Sequence, residues 1–293
     1  MMSSIHHITD TSELFPPLLR EIPQPPTELY IRGNLDILTA PSLLAVVGSR
    51  KATAYGKQAV TKLLPPIINA GVIIVSGLAL GIDSIAHRLS VEAGYPTIAI
   101  LGSGVDDNSI YPRSHLALAR QILKTGGAIV SEYPPGSHAY QSTFPERNRI
   151  IAGLSHATLI VQAAERSGSL ITARLALECN RDVCAIPGQI TDPMSAGTNK
   201  LIQQGASPIL SPTDLFNAME LEEIPATAQP AIKLSTEQTA IASILTHIPT
   251  HIDDIIAKTK FDSAKTSILL TELELLGAVQ SLGSSRYVKV SLE

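Results

Sequence analysis

Short apolar runs recur along the chain, separated by stretches of helical character. LLAVV (43–47), VIIVSG (72–77), TIAILGSG (97–104), AIVSEY (128–133), ATLIVQ (157–162), DVCAIPG (182–188) and SPIL (207–210) each read as a buried strand. Between them the pattern predicts helices over about 55–70, from beyond Gly81 through His87 to Ala93, and near 113–125. Further helices are expected from Phe144-Pro145, from near Ile171, and near 196–204. Pro65-Pro66 are expected to break the first of these helices. Strands alternating with helices argue for an α/β chain with a parallel-rich sheet and helices on both faces.

The flanks read differently. Residues 1–42 form an irregular lead-in packing on the core, because FPPLLREIPQPPTELYIRGN carries five prolines. The α/β unit then covers 43–217. Residues 218–232 (AMELEEIPATAQPAI) are acidic and rich in Pro and Ala, as suits a linker. Residues 233–293 form a small C-terminal unit. Its helices near 235–246, 250–258 and 262–276, followed by a hairpin in AVQSLGSSRYVKV, match a winged-helix module.

In a parallel sheet, ligands bind outside the carboxyl ends of the strands. Small residues gather at those ends: Gly48-Ser49-Arg50, Ser76-Gly77, Gly102-Ser103-Gly104, Ser131-Glu132, Ser167-Gly168-Ser169 and Pro187-Gly188. Gly168 and Ser169 lie between a strand and a helix start, where free backbone N–H groups and the helix dipole favour an anion. Arg50 can fork onto phosphate oxygens. Arg147, Asn148 and Arg149 lie at the start of the helix ahead of that strand. These features point to a phosphate-bearing partner. Phe144 beside the two arginines can stack on a base, or it can staple a helix start; the residues alone leave both open.

Several chemistries lack their signatures. Gly102-Ser103-Gly104 has no third glycine at the dinucleotide spacing, where Asp107 stands, and no G-x-x-x-x-G-K-[ST] or G-x-S-x-G occurs. His247 and His251 are separated by Pro249, which disfavours a shared helical face for zinc. Asp83 and His87 read as a helix-start carboxylate and a packed histidine rather than an acid–base pair. No cofactor and no metal site are therefore expected.

Composition sharpens this reading. Of 293 residues 44% are hydrophobic and 16% charged, which marks a folded, core-rich chain. No apolar run reaches about 18 residues and no secretory signal is visible, so no membrane span is expected. The two cysteines, Cys179 and Cys184, suit a cytoplasmic setting. The net charge of −4 by itself speaks against a polyanion partner. However, residues 43–212 hold 14 Lys and Arg against 10 Asp and Glu, so this region is basic and its flanks acidic. Local field steers a polyanion, not total charge.

These motifs are also where the chain resembles the DNA-processing protein A family, also called DprA or Smf. The resemblance covers about residues 15–217 and rests on VVGSRKATAYG (46–56), VSGLALGIDSIAH (75–87), TIAILGSGVD (97–106), SEYPPG (131–136), FPERNRIIAGLS (144–155), SGSLITARLALE (167–178) and AIPGQI (185–190). It implies an extended Rossmann-like fold that binds single-stranded DNA without marked sequence preference. It also implies a cytoplasmic homodimer that loads a RecA-type recombinase in DNA uptake and recombination. By motif, Gly48, Ser49, Arg50 and Lys51 would contact the DNA backbone, and Ser76 and Gly77 would line the groove. Phe144, Arg147, Asn148 and Arg149 would supply stacking and phosphate contacts, with Gly168 and Ser169 completing the cradle.

The chain departs from the family pattern in places. It has almost no room for the helical module that many members carry ahead of this fold. Glu146 stands where some members are basic, and Gln141 brings no charge; both are expected to weaken DNA affinity. The third C-terminal helix (DSAKTSILLTELELL) has only Lys265 as a cation, so a protein contact is expected there rather than base reading. The alternative is a phosphoribohydrolase-like enzyme of similar fold. Its P-G-G-x-G-T motif is missing from Ala164–Leu170, although Glu132 and Glu178 offer carboxylates.

Overall fold

A computed structural model of the chain describes residues 4–221, 234–246, 249–276, 278–283 and 285–289. It divides between Ile224 and Pro225 into two compact units. The proposed linker lies mostly outside the described residues, as does His247.

The larger unit is built on one sheet. Its strands are β1 (Ile5–Thr9), β2 (Glu28–Gly33), β3 (Leu43–Val47), β4 (Ile73–Ser76), β5 (Thr97–Ile100), β6 (Ala128–Ser131), β7 (Ala157–Ile160), β8 (Asp182–Ala185) and β9 (Ser207–Pro208). Their order is β1-β2-β6-β5-β4-β3-β7-β8-β9, parallel from β6 to β9, with β2 antiparallel to β6 and β1 antiparallel to β2. The direction of winding reverses between β3 and β7, which makes their carboxyl ends the switch point of the fold.

Both faces of the sheet are covered, as the unbroken apolar strands require. On β3, Leu43, Ala45 and Val47 face one core, with Ile150, Ile151 and Leu154 of α5 (Thr143–Leu154) and Ala173 and Ala176 of α6 (Gly168–Glu178). Leu44 and Val46 face the other, with Val60, Leu64 and Ile67 of α2 (Ala54–Asn69) and Ile82 and Ala86 of α3 (Ile82–Glu92). Strands β5 and β6 are covered by α4 (Leu116–Lys124), whose Leu118, Ala119 and Ile122 are buried.

Two expectations are corrected. The lead-in is not irregular: Leu29 and Ile31 of β2 are fully buried, and β1 extends the sheet beyond it. The prolines fall between these strands, where no ladder N–H is needed. The short helix α1 (Pro17–Arg20) starts on one of them, at a position that tolerates it. Pro65 and Pro66 do not end α2, which runs on to Asn69. Leu63, Leu64, Ile67 and Ile68 around them are buried, and this packing outweighs the lost helical hydrogen bonds.

Beyond β8 lie α7 (Ala196–Gln203) and α8 (Pro212–Ala218), the latter opened by a capping box between Ser211 and Asp214. The second unit has α9 (Thr236–Ile244), α10 (Ile252–Thr259) and α11 (Ser263–Leu275) around a small core that includes Ile241, Ile255, Leu270 and Leu273. Its sheet orders β10 (Thr250–His251), β12 (Arg286–Lys289) and β11 (Val279–Ser281). Three helices and a hairpin make this a winged-helix unit.

Candidate nucleic-acid interface

The loop after β3 is fixed by its small residues. A Cβ on Gly48 would sit 2.7 Å from the Ile82 side chain. Ser49 is buried: its N–H donates to the Gln162 carbonyl at 2.9 Å, its carbonyl accepts from Ile82 N–H at 3.2 Å, and its hydroxyl accepts from Lys51 N–H at 3.0 Å. This anchoring leaves Arg50 and Lys51 exposed. The Arg50 guanidinium lies over the Phe144 ring, 5.1 Å from its centroid. Phe144 packs against Tyr111 with centroids 5.5 Å apart and planes tilted by 40°. With Gly77, Ala79, Leu80, Pro112 and Arg147, these three line a cleft at the carboxyl ends of β3, β4 and β5.

Cations and aromatic faces thus meet where a strand of nucleic acid would find both a phosphate partner and a stacking platform. Tyr111 and Leu80 escaped the sequence reading. Tyr111 carried a weak signal, as one of few aromatic residues and close behind a strand end; Leu80 carried none.

The predicted arginines behave differently from one another. Arg147 turns inward and is 4% exposed. It donates to the carbonyl of Gly77 at 2.9 Å and to that of Ile100, and it pairs electrostatically with buried Asp83. Burial lowers the Arg147 pKa to about 10 and raises that of Asp83, and in each case the partner's charge opposes the shift. Burial and these two hydrogen bonds tie the Arg147 guanidinium to the protein interior, in contrast to the exposed Arg50, although it also lines the cleft. Arg149 donates to Glu132 at 2.5 Å. Asn148 is half-buried between them in sequence. Ser76 is fully buried and its hydroxyl donates to the Val46 carbonyl at 2.6 Å, so its side chain does not line the groove. Gly77 does.

Gly168 and Ser169 do not line this cleft. They open α6 beyond β7, across the switch point from β4 and β5. Ser167 caps the helix, accepting from Ser169 N–H at 3.4 Å, and open space surrounds Gly168. Gln162 is 1% exposed; its amide oxygen accepts from Thr53 N–H at 3.1 Å and its amide nitrogen donates to the Thr53 hydroxyl at 2.8 Å. A Cβ on Gly56 would run into that side chain. Gln162 thus ties the carboxyl end of β7 to the start of α2 at the switch point.

Other sequence candidates fall into place. His87 is fully buried, and burial lowers its pKa to about 3, so the ring is neutral. Its Nδ1 lies 2.8 Å from the Thr97 hydroxyl, which spends its own proton on the Ile74 carbonyl. His87 Nδ1–H is therefore the donor, and the residue packs as expected. The exposed Glu146 carboxylate accepts from the Tyr133 hydroxyl at 2.7 Å. Among the described residues no group of three or more His, Cys, Asp or Glu is placed to hold a metal, and no helix is long and apolar enough to cross a membrane.

A family model described as DNA recombination-mediator protein A matches residues 6–220, and one described as the DprA winged helix domain matches 225–284. The chain belongs to the DNA recombination-mediator protein A family. It is 43% identical to DNA processing protein DprA of Bacillus subtilis over 221 residues, 75% of this chain and 72% of that one. The solved DprA of Streptococcus pneumoniae superposes with a TM-score of 0.69 at 40% identity, over 75% of this chain and 76% of that one. DNA processing protein A of Helicobacter pylori, which binds single-stranded DNA, superposes at 0.66 and 30% identity, over 75% of this chain and 98% of that one.

Proposed function

We propose that this chain binds single-stranded DNA without sequence preference along the strand-end groove. In this reading it works in the cytoplasm as a homodimer and loads a RecA-type recombinase during DNA uptake and recombination, with no catalytic step of its own. The observation that carries the DNA reading is the Arg50–Phe144–Tyr111 cluster, an exposed cation over one aromatic ring and beside another. Every base has a π-face, so such a platform accepts any sequence. The single-stranded DNA binding of the Helicobacter pylori relative supports the same reading.

In this groove Arg50 and Lys51 meet phosphates, Gly48 and Ser49 anchor the loop that presents them, Gly77 lets the strand approach the backbone, and Phe144 stacks on a base. Gly168 and Ser169 serve a following phosphate on the far side of the switch point. Of the two carboxylates a hydrolase reading would call on, Glu132 pairs with Arg149 and Glu178 pairs with Arg174 on the exposed face of α6. Titration of labelled oligo-dT and of duplex DNA at two salt concentrations tests the reading. Tight, salt-sensitive binding to the single strand is expected. Equal binding to both forms, or none, overturns it.

A further inference from the structure

The turn after β4 is held by buried polar side chains from three separate elements. Asp83 of α3, 6% exposed, accepts from Gly77 N–H at 3.1 Å. Arg147 of α5 donates to the Gly77 carbonyl at 2.9 Å. His115, 4% exposed and just ahead of α4, donates from Nδ1 to the Leu78 carbonyl at 2.8 Å. Leu78 has a φ of 54°, in the left-handed region that residues other than glycine rarely adopt, and its side chain is fully buried. A backbone in that state persists only where its surroundings over-determine it.

Each element that holds the turn also carries, or abuts, a member of the cleft. Arg147 lies one helical turn after Phe144 on α5. His115 lies four residues after Tyr111. Ile82 N–H, on the helix of Asp83, donates to the carbonyl of Ser49, next to Arg50. A Cβ on Gly81 would sit 2.7 Å from the Arg50 carbonyl oxygen, so the end of the same turn presses on that loop. Arg50, Tyr111 and Phe144 come from three distant parts of the sequence, and all three are referenced to one turn.

We propose that Asp83, Arg147 and His115 are positioning residues that hold the Gly77–Leu78 turn, and through it set Arg50, Tyr111 and Phe144 at the spacing that lets a base stack on Phe144. None of the three touches DNA in this scheme. The inference rests on the single-stranded DNA reading and adds to it the frame that shapes the stacking site. It makes Arg147 different in kind from Arg50: loss of its charge leaves the count of phosphate contacts unchanged but loosens the stack.

The full chain is titrated with oligo-dT carrying one 2-aminopurine, whose emission is quenched when the base stacks. Affinity is followed across a salt series, and a melting curve is recorded for each variant. For Arg147→Gln the expected result is an unchanged slope of log affinity against log salt, with affinity about 5- to 100-fold lower and the quench reduced. His115→Ala is expected to lose quench in the same way, whereas His115→Asn, which keeps a donor near the Nδ1 position, restores it. A fall in slope of about 0.7 for Arg147→Gln would make Arg147 a phosphate contact and overturn the proposal. Wild-type quench in both Arg147→Gln and His115→Ala would also overturn it. Should Arg147→Gln fail to fold, the His115 pair decides: rescue by Asn supports the frame, and indifference to Ala overturns it. If the wild-type chain binds no oligo-dT, the DNA reading itself falls and takes this inference with it.

Discussion

Two of the cation–aromatic pairs, one from each unit, have nearly the same separation and opposite surroundings. Arg50 sits 5.1 Å from the Phe144 ring centre and Lys265 sits 4.9 Å from that of Phe261. Among the described residues the Arg50 side chain has no ion pair, and its loop is anchored so that the guanidinium faces an open cleft. Lys265 instead donates to Glu237 at 2.6 Å and thereby ties the start of α11 to the start of α9. A second tie joins the same helices, from Gln238 to Glu272 at 2.9 Å. A cation over an aromatic ring is therefore not a recognition site by itself. It becomes one where the charge is unspent and the ring is open to a ligand; where a carboxylate has already taken the charge, the pair belongs to the scaffold.

The largest effect expected from this contrast is at Phe144. Phe144→Ala removes the stacking platform and should weaken oligo-dT binding by about 1–3 kcal/mol, roughly 5- to 150-fold. The salt slope should stay unchanged, because no charge is lost. A variant with full affinity would make Phe144 a scaffold residue like Phe261. Arg50→Ala should cost less, on the order of 1 kcal/mol, and equally for all sequences. Its mark is a salt slope shallower by about 0.7. An unchanged slope would place Arg50 with Lys265.

Much of the larger unit was legible because its strands are buried on both sides. All five residues of β3 are buried, so the apolar run is a direct record of burial. The lead-in strands were not legible, because β2 alternates only loosely and is flanked by prolines that suggest coil. The site was half legible. Gly48, Arg50, Gly77 and Phe144 could be picked out by small residues at strand ends and by a scarce aromatic beside cations. Arg147 could not be sorted from Arg149 or Arg50, since a one-dimensional pattern does not say whether an arginine points in or out. Only the packing of α5 against β4 and β5 decides that, through carbonyls some 47 and 70 residues away. Tyr111 lies in an irregular loop, where no periodicity marks a direction.

The smallest effect lies in the winged-helix unit and tests the other half of the comparison. The Lys265–Glu237 pair is half exposed at both ends, with side-chain accessibilities of 40% and 49%, so its worth is that of a surface ion pair. Lys265→Ala should lower stability by about 0–1 kcal/mol, read from thermal or urea unfolding of the full chain. Oligo-dT affinity and its salt slope should not move, because the charge was already neutralised by Glu237. The exposed face of α11 offers Ile268, Thr271 and Glu272 rather than further cations, which suits a protein contact better than a phosphate backbone. A salt slope that flattens in Lys265→Ala would show that the lysine leaves Glu237 to reach DNA, and the two cation–aromatic pairs would then differ in degree rather than in kind.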